Sequence, residues 1–114
     1  YEYHGTDNSP VAAGYDSHVS TSDTKIDLTV NGVDSASGNG SGFGGVIFLN
    51  RPLDGTTWPN FTGNVWWKEN GGQTEGGPIM ASRKSPVDVD RLQIFFSSGN
   101  VATGRLTVWG LAHA

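Results

Sequence analysis

The stretch Asn64-Val65-Trp66-Trp67-Lys68 alternates between apolar and polar side chains with a period of two residues. Successive side chains of an extended strand point to opposite faces, so Val65 and Trp67 share one face, and Trp66 shares the other with Asn64 and Lys68. The first pair is apolar and is predicted to face the core. The second set places an amide and an ammonium group around one aromatic ring, which is typical of a solvent face. The stretch therefore predicts a half-buried β-strand.

The rest of the chain repeats this pattern of short apolar segments separated by polar, glycine-rich turns. Strand-like composition is also found in Tyr1 to Gly5, Thr24 to Val30, Val46 to Leu49, Pro78 to Arg83, Leu92 to Ser97 and Arg105 to Leu111. About seven strands at roughly 10–15-residue spacing, without an amphipathic helical window, predict an antiparallel two-layer β-sandwich or jelly roll. Ser85 to Asp90 could form a helical turn. The predicted fold class is therefore all-β.

Three of these segments carry specific expectations about burial. Val46 to Leu49 is apolar on both sides, which predicts a strand that is covered on both faces. In the last two segments, alternation predicts that one sheet face has four interior side chains, with Phe95 and Trp109 on its other side. The four are Ile94, Phe96, Leu106 and Val108. In that register Phe96→Ala would remove a buried ring and cost about 3–5 kcal/mol.

Composition limits both the architecture and the partners. The chain has 114 residues, 17 of them glycine, with 16% charged residues and a net charge of −4. This size predicts one domain, residues 1–114, and the scarcity of Ala, Leu, Glu and Lys excludes helical bundles and coiled coils. Because there is no basic stripe, nucleic acid is not an expected partner. The longest apolar run has four residues, so membrane insertion is not expected.

Sequence patterns for cofactors and metals are weak. Gly40 to Gly45 matches the glycine spacing of dinucleotide-binding loops, but the residues after it predict a strand where that chemistry needs a helix. Asp88 and Asp90 could share a calcium ion, although solvated turn carboxylates explain them more simply. The histidines do not have the spacing of a zinc site: His4, His18 and His113. We therefore expect no cofactor and no metal.

Catalytic patterns are equally sparse. The nucleophile-elbow pattern G-x-S-x-G does not occur in the sequence. Glu69 and Glu75 flank a glycine-rich loop beside the two adjacent tryptophans and are the best carboxylate pair for a glycosidase. Surface carboxylates account for both residues more simply, so the chain is not expected to be an enzyme.

Aromatic residues carry the main functional hypothesis. Tryptophan rings stack on the apolar faces of sugars, while nearby amides and charged groups bind the hydroxyls. The glycan-binding candidates are Trp66, Trp58, Asn64 and Lys68. Because most tryptophans of a small β domain belong to its core, two or three of the four are expected to be structural. The alternative for Trp66 is that a neighbouring subunit or upstream strands cover it.

The C-terminal stretch from Val89 to Leu111 reads VDRLQIFFSSGNVATGRLTVWGL. It resembles the end of a family of bacteriophage tail and tail-fibre proteins, in which an apolar strand, an "SSGN-apolar-small-small-G" turn and a strand ending "aromatic-Gly-apolar" follow one another. There are two departures. Trp109 stands where the family commonly has Tyr, and the strands and the "DGG"-type turn that family members usually carry upstream are absent. Together with a first residue that is Tyr1 rather than Met, this predicts a C-terminal fragment of a longer chain.

The resemblance implies a viral protein of a virion appendage, a tail fibre or spike. Its β-sandwich module would be receptor-binding and carbohydrate-binding, with bacterial surface polysaccharide and other virion proteins as partners in host adhesion. It also implies a homo-oligomer, with a trimer favoured, assembled in the host cytoplasm, which agrees with the lack of cysteine. No catalytic residues carry over. The alternatives are a purely structural decoration or connector domain of the virion and a polysaccharide-cleaving enzyme fragment that uses Glu69 or Glu75.

Overall fold

The stretch around Trp66 lies in the fourth of five β-strands. The structure is a computed structural model and describes residues 2–9, 14–29, 32–34, 42–50, 55–99, 101 and 103–110. Its strands are β1 (Glu2–Ser9), β2 (Gly14–Ser20), β3 (Phe43–Asn50), β4 (Asn60–Lys68) and β5 (Thr74–Ser82). These ranges contain strands and no helix, which confirms the predicted all-β class. Accordingly, the described part of the chain offers no helix long and apolar enough to cross a membrane.

The five strands form one antiparallel sheet in the order β2-β1-β5-β4-β3. β4 and β5 form a hairpin in which Trp67 lies opposite Glu75. In the turn, the amide of Glu69 donates to the carbonyl of Gln73, and the amide of Gly72 donates to the carbonyl of Glu69, both at 2.9 Å. Gly72 has a φ of +84°, a left-handed conformation that glycine adopts without steric cost. The hairpin is therefore closed by a turn that its sequence favours.

Alternation along the strands gives the sheet an inner face, which carries the core, and an outer face. The buried side chains of the inner face are Tyr3, Phe61, Val65, Trp67, Ile79 and Ala81. Residues 21–29 and 32–34 form no strand and are called the covering segment here. They pack on these side chains through Ile26, Leu28 and Val33. The outer face exposes Val46, Phe48, Trp66 and Met80 to solvent. Within the described residues the sheet is thus covered on one face.

Tyr3 ties the covering segment to the sheet. Its hydroxyl, on β1, is shared between Oδ2 of Asp23 at 3.0 Å and Oδ2 of Asp27 at 3.3 Å. Burial, the hydrogen bond to Asp23 and the two carboxylate charges raise the pKa of Tyr3 to about 12. Hydrogen bonds from Ser20 and Tyr3 lower the pKa of Asp23. Lys25 in turn forms an ion pair with Asp27.

Three of the predicted strands are wrong. Residues 24–29 pack over the inner face but do not join the sheet, and Val30 lies outside the described residues. Residues 92–97 and 105–110 pair with no strand of the sheet, and Leu111 lies outside the described residues. Alternation shows that a segment suits a strand, but a strand also needs a hydrogen-bonded neighbour. The sequence pattern does not specify that neighbour.

The predicted burial of the C-terminal segments is also wrong. All four residues expected in the interior are exposed, from 39% for Phe96 to 79% for Val108, with Ile94 and Leu106 between them. Phe95 and Trp109 on the other side are exposed as well. The cost of 3–5 kcal/mol for Phe96→Ala does not apply to this structure, because that figure requires a fully buried ring.

The remaining differences concern the ends of strands and their surroundings. Val46 to Leu49 lies in β3, which is an edge strand covered on one face, so the expected burial on both faces is wrong. Tyr1 to Gly5 and Pro78 to Arg83 overlap the longer β1 and β5, while Ser85 to Asp90 forms no helical turn. β2 was not predicted, because polar residues dominate its sequence and its pairing with β1 is made by the backbone. The described residues form one sheet, so the two-sheet sandwich remains a prediction.

Candidate functional site

The adjacent tryptophans of β4 lie on opposite faces of the sheet, as the alternation predicts. Trp67 is 1% exposed and belongs to the core, together with Val65. Trp66 is 56% exposed and lies on the outer face. Asn64 and Lys68 share that face because they are two residues before and after Trp66 on the same strand. The sheet therefore presents one large aromatic side chain to solvent between an amide and an amine.

Glycine on both neighbouring strands determines where the Trp66 indole can lie. In the sheet register Trp66 is opposite Gly44 of β3 and Gly76 of β5. A Cβ atom at Gly44 would overlap Cζ2 of the indole and would lie only 3.0 Å from its Nε1. The ring therefore leans over the backbone of β3 in the space that a side chain at residue 44 would fill. Gly44 was not predicted as a site residue, and the register with β4 is what reveals its role.

The backbone around Lys68 is held in place by two hydrogen bonds. The amide of Lys68 donates to the carbonyl of Gly42 at 3.1 Å, and its carbonyl accepts from the amide of Asp34 at 2.7 Å. These bonds join the end of β4 to Gly42, which directly precedes β3, and to the segment that contains Asp34. The Lys68 side chain is half-buried, whereas Asn64 is exposed. The three residues thus lie on a strand whose end is fixed by its neighbours, which favours a preformed surface.

Trp58 lies at the other end of β4. It precedes the strand, next to the buried Pro59, and its side chain is exposed. From Asn60 to Trp66 the strand rises by about 20 Å, at about 3.3 Å per residue. The structure therefore brings together three of the four glycan-binding candidates and separates Trp58 from them.

The two candidate catalytic carboxylates do not lie beside Trp66. Glu75 is opposite Trp67 on the inner face and is 5% exposed. Glu69 lies in the β4–β5 turn and is half-buried. A glycosidase needs two carboxyl groups that face the same sugar, from about 5 to 9.5 Å apart. Because Glu75 points into the core, the outer face does not present this pair to a ligand.

The sequence candidates for metals remain dispersed. Asp88 and Asp90 are both exposed, and Asp88 lies beside Gly55 of the preceding loop. Across the described ranges, no three residues of the metal-binding types come together. His4 is exposed on the outer face, and His113 lies outside the described residues. In the glycine-rich stretch that matches dinucleotide-binding loops, Gly42 leads directly into β3 and not into a helix.

Comparisons with known proteins add no identification. No family model matches the chain, and searches of curated proteins and of solved structures find no significant match.

Proposed function

We propose that the outer face around Trp66 binds a bacterial surface glycan, as part of a phage tail fibre or spike. The observation that carries this proposal is the position of the Trp66 indole, which leans over Gly44 of the edge strand β3 and is half-exposed on the outer face. An indole in this position offers a rigid apolar surface on which the C–H face of a sugar ring can stack.

Polar groups beside Trp66 would orient a bound sugar through hydrogen bonds. The Asn64 amide can both donate to and accept from sugar hydroxyls, and the Lys68 ammonium can donate to hydroxyls or to acidic substituents. Both lie on the same strand and face as Trp66. The resemblance of Val89 to Leu111 to phage tail proteins supports a bacterial glycan as the ligand class. Binding is proposed without any chemical change of the glycan.

A glycan array probed with the purified chain tests the proposal. We expect binding to a restricted set of bacterial polysaccharides and its loss in Trp66→Ala. Trp58→Ala is the matched control, since it removes another exposed indole that lies before the start of β4, and that start at Asn60 is about 20 Å from Trp66 along the strand. Equal loss of binding in both variants, or no loss in Trp66→Ala, would contradict a site at Trp66.

Gly44→Ala tests the role of the indole position without changing the ring itself. The new methyl group would occupy the space over β3, so Trp66 would have to turn away. We expect weakened glycan binding with the β-sheet signal in circular dichroism retained. Full affinity in a folded Gly44→Ala protein would show that the position of the indole does not matter.

The second candidate is a structural connector or decoration domain of the virion. The observation that favours it is the exposed C-terminal apolar residues, since large exposed apolar patches mark interaction surfaces. A chain that binds no glycan on the array but incorporates into virions would support this function over adhesion.

A further inference from the structure

The turn between β4 and β5 contains an asparagine followed by a glycine, Asn70-Gly71, outside the strands. Both residues are exposed, as is Gly72, which follows them with a φ of +84°. Asparagine and glycine are typical turn residues. In this order they also form a reactive pair, because a glycine without a Cβ atom leaves its backbone amide open to the asparagine side chain.

The surroundings of Gly71 keep its amide accessible. The two hydrogen bonds within the turn are donated by the amides of Glu69 and Gly72 and not by that of Gly71. A side chain at residue 71 would meet the carboxylate of Glu69, and the three atoms nearest to its Cβ position all belong to that side chain. A glutamate side chain is flexible and can move aside. Neither backbone nor a core residue therefore blocks the approach of another group to this amide.

We propose that Asn70 is a site of spontaneous deamidation. The backbone nitrogen of Gly71 attacks Cγ of Asn70 and a bond forms between these two atoms. The bond from Cγ to Nδ2 breaks, and Nδ2 leaves as ammonia together with the amide proton of Gly71. Water then opens the cyclic succinimide, and cleavage at Cγ gives aspartate, whereas cleavage at the Asn70 carbonyl carbon gives isoaspartate. Water is the co-reactant, and nothing is oxidised or reduced.

Two asparagines of β4 differ from Asn70 in their backbone and not in their exposure. Asn60 and Asn64 are exposed as well, but they lie in the hydrogen-bonded ladder between β3 and β5. The residues after them are Phe61 and Val65, whose side chains hinder the approach of Cγ to the next amide. The backbone at the asparagine must also rotate for the attack, which would break hydrogen bonds of the ladder. The fold therefore favours the reaction at Asn70 over both strand positions.

The reaction changes the hairpin that carries Trp66. Either product replaces a neutral amide with a carboxylate, so the net charge of −4 becomes more negative by one. Isoaspartate also routes the main chain through Cγ and lengthens it between residues 70 and 71. This lengthening disturbs the hydrogen bond from the amide of Glu69 to the carbonyl of Gln73. The inference is independent of the glycan proposal, because the reaction requires only the turn and water.

Mass spectrometry of the folded chain during incubation in mildly alkaline buffer tests the inference. Tryptic cleavage after Lys68 and Arg83 releases residues 69–83, in which Asn70 is the only asparagine. Fragment spectra locate each conversion of an amide to a carboxyl group, at Asn60 and Asn64 as well. A sample digested without incubation corrects for conversion during digestion. We expect Asn70 to convert several-fold faster than either strand asparagine.

Gly71→Ala is the matched variant, because it keeps Asn70 and places a methyl group beside the reacting amide. The φ of Gly71 lies outside the left-handed region, and the flexible Glu69 side chain is what has to move, so the variant should fold. The blue-shifted fluorescence expected of the buried Trp67 reports on folding. We expect Asn70 to convert several-fold more slowly in this variant. Conversion of Asn70 no faster than that of Asn64 in the unmodified chain would overturn the inference, as would an unchanged rate in folded Gly71→Ala.

Discussion

Replacing each of the two adjacent tryptophans of β4 tests the assignment of the sheet faces. Trp67 is 1% exposed, and a buried Trp removes about 200 Å² from water. At about 25 cal/mol per Å² this burial is worth about 5 kcal/mol, and measured losses for buried Trp→Ala changes are about 3–5 kcal/mol. Trp66 keeps 56% of its surface in solvent, so Trp66→Ala should cost about 1 kcal/mol or less.

Urea unfolding followed by far-UV circular dichroism measures this difference. For a urea dependence of about 2 kcal/mol per M, a loss of 4 kcal/mol lowers the midpoint by about 2 M. We expect this shift for Trp67→Ala and a shift below about 0.5 M for Trp66→Ala. All variants should be compared at one protein concentration, because self-association raises apparent stability. Equal costs would refute the assigned faces, since a register slip of one residue exchanges them.

A third variant separates the volume of Trp67 from its polar atom. Nε1 of Trp67 is buried and meets no hydrogen-bond acceptor among the described residues. A buried donor without a partner costs about 1–3 kcal/mol. Trp67→Phe removes this donor and keeps an aromatic ring, so it should cost about 2 kcal/mol or less. A loss as large as that of Trp67→Ala would show that the indole N–H contributes favourably.

Further predictions concern Tyr3, Asp23, Gly63 and the metal candidates. The pKa of Tyr3 is raised from 10.0 to about 12. Its contribution to the free energy of unfolding is therefore fully present below pH 10 and should be lost as pH rises towards 12, by about 2–3 kcal/mol at most. In an absorbance titration, Tyr3→Phe should remove the phenol that titrates at the highest pH. The pKa of Asp23 is lowered in the folded protein. Its contribution to stability is therefore present at pH values above the pKa of the unfolded chain and should be lost as pH falls through the folded pKa. Asp23→Asn should reduce this loss of stability on the acid side of a plot of stability against pH. Gly63→Ala should lower stability by about 1–3 kcal/mol, because its Cβ would lie 2.9 Å from Cα of Ile47; Thr62→Ala, on the outer face, is the control. A chelator should leave the melting temperature unchanged, whereas a calcium-reversible drop would indicate a site at Asp88 and Asp90.

The sequence alone predicted the all-β class and the two faces of β4. Both follow from local features, since turn residues separate the segments and a period of two assigns the side chains within one strand. For Val65, Trp66 and Trp67 the prediction needed no partner strand. For this reason it identified the exposed indole and two polar neighbours on the same face.

Pairing between strands was decided only by the tertiary structure. The role of Gly44 depends on its register with Trp66, across more than twenty residues of sequence, and no local pattern contains that register. The separation of Trp58 from Trp66 likewise follows from the direction in which β4 runs. Thr24 to Val30 alternates as cleanly as β4, but its described residues cover the inner face instead of joining the sheet.

The C-terminal segments show most clearly that local periodicity does not determine strand pairing or burial. Their alternation describes side chains that suit a strand, yet whether they become buried depends on which backbone lies beside them, in the same chain or in another. Hydrogen-bonded neighbours come from distant parts of the sequence, so local periodicity determines the faces of a strand and the assembled sheet determines which strands form.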